Sequence, residues 1–299
     1  MSLISTSCGH ISWQGYGDPY MPPLILLMGL GMPAAAWPKA LIEKLVRSGL
    51  YVVTPDNRDS GASSQISQSV SYASVLASVA KFLAGGAVNG PYRLEDMASD
   101  MEELMNRLGI ERAHVAGISM GGMIAQVLAS RAPHRVISLT CISSATGNPL
   151  TGFGKISAVK AVLKPVPKDA DNAVLRAHYR DLFKVIGSAE TQYTDEELDA
   201  VIDVCRKNSV TAESTARQLL AILASGDRRT QLRQLVTPTL VIHGREDPLL
   251  PLRAGREIAR TIEGAKLIEL SGMGHDLPPS HLGTIADAIA EHCYSRTLR

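Results

Sequence analysis

Short apolar runs alternate with helix-periodic segments along most of this 299-residue chain, and few folds accommodate that alternation. The runs are Leu24–Met28, Tyr51–Thr54, His114–Ile118, Val136–Ile142, Leu240–Ile242 and Leu267–Leu270. Each is β-branched or leucine-rich and bounded by Gly, Pro, Asp or Ser, the composition of strands buried on both faces. Strands separated by helices pair in parallel, because each crossover carries the chain back across a face of the sheet. An α/β architecture follows. Between the strands, Leu94–Leu108 sets Met97, Met101, Leu104, Met105 and Leu108 at helical spacing, so these methionines are expected in the core.

The alternation stops between about Asn148 and Val236. That stretch reads as helices, including Asp171–Val185, Thr194–Arg206 and Ala212–Ala224, with no convincing strand. Thr194 followed by Glu197 is a capping-box start. The expected organisation is a core of residues 1–147 and 236–299, with a helical insertion of residues 148–235 following the Val136–Ile142 strand. The Ser60–Gly90 stretch, rich in Ser, Ala and Gly, is expected to be a loop with one helix.

Composition removes several classes of function. Lys and Arg number 30 against 29 Asp and Glu, which leaves no basic excess for nucleic acid or an anionic membrane surface. The longest apolar stretch, Leu24–Trp37, is broken by Gly29, Gly31 and Pro33 and falls short of the about 20 residues of a membrane span. The amino terminus has neither a positive start nor an apolar stretch, so no secretory leader is expected and the cytoplasm is the default location. Cys8, Cys141, Cys205 and Cys293 lie far apart, which argues against zinc and against a disulfide framework.

The strongest local signal is Gly117-Ile118-Ser119-Met120-Gly121. This G-x-S-x-G follows the apolar strand Ala113–Ile118 and opens the helical run Met123–Ala132, which is the setting of a nucleophile elbow. A side chain at 117 or 121 would collide with the neighbouring strand and helix. The turn lifts the Ser119 hydroxyl above the sheet edge and puts the Met120 amide at a helix start, where it can meet negative charge.

A serine hydroxyl needs a base within hydrogen-bond reach. His275, in Ser271-Gly272-Met273-Gly274-His275 after the Leu267–Leu270 strand, belongs at the same sheet edge as Ser119. His243 ends a strand and reads as a packed residue, whereas His114 starts the nucleophile strand and belongs at the opposite edge. A carboxylate should orient the imidazole, and Asp247 in Gly244-Arg245-Glu246-Asp247-Pro248 is the candidate. Pro248 favours a turn with Asp247 directed inward; Glu246, one residue away, is the rival. Asp276 adjoins His275 and is expected to play a supporting part at most.

A tetrahedral intermediate also needs amides aimed at its oxyanion. Met120 offers one, and Leu30 in Met28-Gly29-Leu30-Gly31-Met32 is the candidate for the other. Gly29, Met32 and Met273 are the candidate substrate contacts. No metal site is expected.

With these residues placed, the sequence resembles an α/β-hydrolase along nearly its whole length, and in particular the branch that includes aclacinomycin methylesterase. The matching segments include LLMGLG at Leu26–Gly31, DNRDSGAS at Asp56–Ser63 and RAHVAGISMGGMIAQ at Arg112–Gln126. They continue with HGREDPLLP at His243–Pro251 and SGMGHDLP at Ser271–Pro278. The resemblance implies an eight-stranded, mostly parallel sheet flanked by helices, a helical lid after the sixth strand, a triad of Ser119, Asp247 and His275, and no cofactor. Two departures narrow the branch. Met28 precedes Gly29 where lipase-type enzymes carry His-Gly-Gly, and Arg58-Asp59-Ser60-Gly61 replaces the common Arg-Gly-x-Gly.

The expected activity is hydrolysis of carboxylic esters or lactones that are uncharged, fairly hydrophobic and small to medium in size, through an acyl-enzyme. Three alternatives fit the same sequence: C–C hydrolysis by the same triad, perhydrolysis, and a ligand-binding protein of low turnover on the same scaffold. The segments that choose the substrate, Ser60–Gly90 and the lid, carry no matching motif, so the branch's methylesterase activity does not transfer.

Overall fold

The central strand is the one that delivers Ser119. In the computed structural model, which describes residues 2–7, 9–164, 170–208 and 210–297, this strand is β5 (Ala113–Ile118), buried at every position. Cys8, and residues 165–169 and 209 of the expected insertion, lie outside the described residues. The other strands are β1 (Ser2–Thr6), β2 (Gly9–Tyr16), β3 (Pro23–Leu27), β4 (Tyr51–Pro55), β6 (Val136–Ile142), β7 (Thr239–Gly244) and β8 (Lys266–Leu270). They form one eight-stranded sheet in the order β1-β2-β4-β3-β5-β6-β7-β8. From β4 to β8 the neighbours are parallel; β1 and β2 join antiparallel at one edge.

Successive strand residues point to opposite faces, so the apolar runs divide between two cores. Ile25, Leu27, Val53, Val115 and Val241 enter one cluster, while Leu24, Leu26, Val52, Ala116 and Ile242 enter the other. The first is roofed by α3 (Leu94–Arg107), α4 (Met120–Arg131) and α10 (Leu252–Thr261), and the second by α1 (Lys39–Arg47) and α11 (Pro279–Thr297). Met97, Met101, Leu104 and Met105 of α3 are all buried in the first cluster, as their spacing predicts. One helix, α2 (Tyr72–Leu83), lies within the Ser60–Gly90 segment.

Between β6 and β7 the described residues form helices and no strand: α5 (Ile156–Leu163), α6 (Asn172–Ile186), α7 (Asp195–Lys207), α8 (Ala212–Ser225) and the short α9 (Arg229–Leu232). The capping box read at Thr194 and Glu197 starts α7. The insertion does not sit apart from the core. Ala221 of α8 and Leu232 of α9 are fully buried in the first cluster. The start of the insertion meets its α8–α9 connection at a neck, where a Cβ on Gly147 would stand 1.9 Å from the Gly226 carbonyl oxygen. Both glycines have positive φ, and the buried Arg228 guanidinium donates to Ala145 O at 2.8 Å and Gly226 O at 3.0 Å across that neck.

Candidate active site

The turn from β5 into α4 leaves room for glycine alone. A Cβ on Gly117 would lie 2.2 Å from the carbonyl carbon of Gly121, and one on Gly121 would lie 2.0 Å from Leu27 O. Ser119 sits at the apex with φ 54° and ψ −119°, a conformation that costs a non-glycine residue about 1–3 kcal/mol. Neighbours hold it there: Ser119 N donates to Ile142 O at 2.9 Å, and Ser144 Oγ donates to Ser119 O at 2.8 Å.

The loop after β8 brings His275 over this turn. With its proton on Nδ1, the imidazole donates to Asp247 Oδ2 at 2.7 Å, and Nε2 accepts from Ser119 Oγ at 3.0 Å. Asp247 is buried in the loop after β7, and its other oxygen accepts the amides of Leu249 and Leu250, each at 2.9 Å. These two bonds form an Asx-type turn at Pro248 and direct the carboxylate inward. Glu246 turns away and accepts the Gly272 amide at 2.7 Å in an exposed position. Asp276 points elsewhere too: it accepts Ser188 N at 3.0 Å and Ser188 Oγ at 2.5 Å.

The other histidines read from the sequence lie in two places. His243, fully buried, donates from Nε2 to Leu250 O at 2.7 Å, and burial pushes its pKa down. It stands 3.7 Å from Asp247 Oδ2, so this carboxylate lies between two imidazoles, one deep in the core and one at Ser119. His114 is at the opposite end of β5, with Nδ1 against Ser138 Oγ at 2.8 Å; burial lowers its pKa to about 4.

The loop after β3 lies directly against the Ser119 turn, since a Cβ on Gly29 would be 3.4 Å from Ser119 Cβ. Its Gly31 and Met32 amides are committed, to Gln218 Oε1 at 2.8 Å and Gly29 O at 3.3 Å. The Leu30 amide has no acceptor among the described residues. Met120 is the first residue of α4, a position whose amide has no partner within the helix. Met32 is half-buried against the second core cluster.

Met273 corrects an expectation. It is fully buried in the second core cluster, with no surface open to a ligand, and Met273 O accepts the Glu246 amide at 3.2 Å. Three contributors escaped the sequence reading. Gln218 reaches the Leu30 loop from α8, Asn57 Nδ2 donates to Met28 O at 3.0 Å, and Ile186 O at the end of α6 accepts the His275 amide at 2.7 Å. Each joins segments remote in the chain, and only Asn57, a buried polar residue just past a strand, had any local signal. Among the described residues no three His, Cys, Asp or Glu side chains gather as a metal-binding group, and no helix is long and apolar enough to cross a membrane.

Residues 22–281 match the α/β hydrolase fold family, and the chain belongs to it. Rhodomycin D methylesterase of Streptomyces peucetius is 28% identical over 308 residues, covering 95% of each chain. A 2-hydroxy-6-oxononadienedioate/2-hydroxy-6-oxononatrienedioate hydrolase of Cupriavidus pinatubonensis is 24% identical, covering 84% of this chain and 80% of its own. Among solved structures, a meta-cleavage product hydrolase from Pseudomonas fluorescens shares the fold with a TM-score of 0.77 at 20% identity, covering 99% of this chain and 98% of that one.

Proposed function

We propose that the chain is a serine ester hydrolase in which Ser119 is the nucleophile, His275 the general base and Asp247 the group that orients the base. The observation that carries this reading is the unbroken line of hydrogen bonds, 3.0 Å from Ser119 Oγ to His275 Nε2 and 2.7 Å from Nδ1 to Asp247. His275 takes the serine proton as Oγ attacks the carbonyl carbon; Asp247 keeps the imidazole in the required tautomer and stabilises the imidazolium. The imidazolium then gives the proton to the departing alcohol. Water activated by the same imidazole releases the acid from the acyl-enzyme. The Leu30 and Met120 amides meet the oxyanion in both tetrahedral intermediates, where one such donor is worth about 10²–10³ in rate.

A methylesterase relative that spans 95% of both chains supports a carboxylic ester as the bond. Half-buried Leu30 and Met32 beside the Ser119 turn favour an uncharged, fairly hydrophobic ester or lactone of small to medium size. The helical insertion, residues 148–235, serves as the lid that selects it. A second reading draws on the Cupriavidus relative: the same Ser119 attack applied to the C–C bond of a vinylogous diketone.

The test is a panel of p-nitrophenyl esters, a simple lactone, a vinylogous diketone and a peracid-forming assay, run beside labelling by a fluorophosphonate. Ester or lactone turnover, with both turnover and labelling lost in Ser119→Ala, is the expected result. Labelling retained in Ser119→Ala identifies another nucleophile and overturns the scheme. Turnover of the diketone alone replaces the ester reading with the second one, and labelling without turnover of any substrate favours a binding protein.

A further inference from the structure

The loop Met28–Met32 is held at two points that bracket Leu30. On one side Asn57 Nδ2 donates to Met28 O at 3.0 Å. On the other, the Gly31 amide donates to Gln218 Oε1 at 2.8 Å. Gln218 comes from α8 in the helical insertion and is fully buried. Its Nε2 donates to Arg58 O at 2.8 Å, so both halves of the side-chain amide are engaged and the oxygen must face Gly31.

The peptide unit is a rigid plane, so fixing the Gly31 N–H fixes the plane that joins Leu30 to Gly31 and limits rotation at Leu30. The loop has no slack in the other direction. Gly31 has φ +69°, and a Cβ there would meet Thr215 Oγ1 of α8 at 2.9 Å. The neighbouring Arg217 sets the rotational position of α8 through a buried ion pair with Asp59.

We propose that Gln218 is a positioning residue: it aims the Leu30 amide at the oxyanion formed on the Ser119-bound substrate, so that the helical insertion completes the active site as well as covering it. This rests on the reading of Ser119 as nucleophile. Oxyanion stabilisation depends on donors already in place before charge develops, and a loosened amide loses more in the transition state than in the ground state.

The experiment compares wild type with Gln218→Met, which keeps the side-chain length and removes both hydrogen-bonding atoms. The probes are p-nitrophenyl butyrate and a trifluoromethyl ketone that forms a tetrahedral adduct with an active serine. The expected result is a kcat lower by about ten- to hundredfold with KM within about twofold of wild type, and ketone affinity reduced by the same factor as kcat/KM. A kcat within about twofold of wild type overturns the proposal, as does a loss of kcat with ketone affinity unchanged, which would mark general loosening. Should Gln218→Met fail to fold, Asn57→Ser releases the loop from its other side; the same split is expected, and an unchanged kcat overturns the proposal. The underlying reading fails visibly on its own terms, through a wild type inert to both probes or turnover retained in Ser119→Ala. Full activity in Gln218→Met beside a dead Ser119→Ala refutes the positioning role alone.

Discussion

Arg217, on helix α8, lays two guanidinium nitrogens on the carboxylate of Asp59: Nη2 to Oδ1 at 2.6 Å and Nε to Oδ2 at 2.9 Å. Both side chains are closed off from water, and Tyr92 donates its hydroxyl to Asp59 Oδ2 at 2.8 Å. This ion pair ties the helical insertion to the loop after β4. Removing one partner strands the other as a buried charge, so Arg217→Met is expected to lower unfolding free energy by about 3–5 kcal/mol. Adding Asp59→Asn should recover part of the loss. Urea denaturation of the single and double variants measures both, and a single variant as stable as wild type contradicts the account.

Two glycines near Ser119 are expected to fail in opposite ways when changed to alanine. In Gly121→Ala the new methyl meets Leu27 O at 2.0 Å, backbone of a central strand that cannot yield, so stability should fall by about 3 kcal/mol or more. In Gly29→Ala the methyl meets Ser119 Cβ at 3.4 Å, an ordinary contact, and stands 4.0 Å from Oγ. That variant should melt like wild type yet lose about tenfold or more in kcat/KM, because the methyl crowds the space of the reacting carbonyl. Thermal melts and ester kinetics on the two proteins check the contrast.

The acid of the site is testable against its neighbour. In Asp247→Asn the amide oxygen can still accept from Leu249 and Leu250, but its NH₂ then faces His275 and imposes the wrong tautomer. A fall in kcat of about 10²–10⁴ with little change in KM is expected. Glu246→Gln keeps an oxygen for the Gly272 amide and should lose less than about tenfold. Reversed outcomes would move the acid by one residue.

Stability should carry a histidine signature away from the site. Burial holds the His114 pKa at about 4 against the ordinary 6.5 of a histidine. Between those values the unfolded chain takes up a proton that the folded chain refuses, so stability present above pH 6.5 is lost as pH falls toward 4. The full contribution is about 3 kcal/mol. His114→Gln, uncharged throughout, should reduce the pH dependence of the urea midpoint across this window, leaving the part due to buried His243, and an unchanged slope would show that other groups carry it.

The parts of this molecule legible in the sequence are those whose cause is local. The Ser119 turn, the Asp247 turn and the His275 loop are each a strand followed by residues that dictate a bend, and the structure brings all three to one sheet edge. Strands β1 and β2 gave no such signal, because half-exposed residues in them blur the alternation. Burial of Met273 depends on the depth of a loop, which sequence patterning does not encode. Gln218 was invisible for a different reason: its partners, Gly31 and Arg58, are 187 and 160 residues away.

The neck at Gly147 and Gly226 makes the helical insertion a closed detour from the sheet's point of view. The chain leaves and returns at one point, so those parts between the two glycines that do not pack into the core or onto the His275 loop can change in length without the sheet having to move. These two glycines are therefore the natural splice points for a transplanted cassette. Any transplanted cassette must bring its own counterparts of Arg217 and Gln218, since the scaffold supplies Asp59 and Gly31 but not the side chains that bind them.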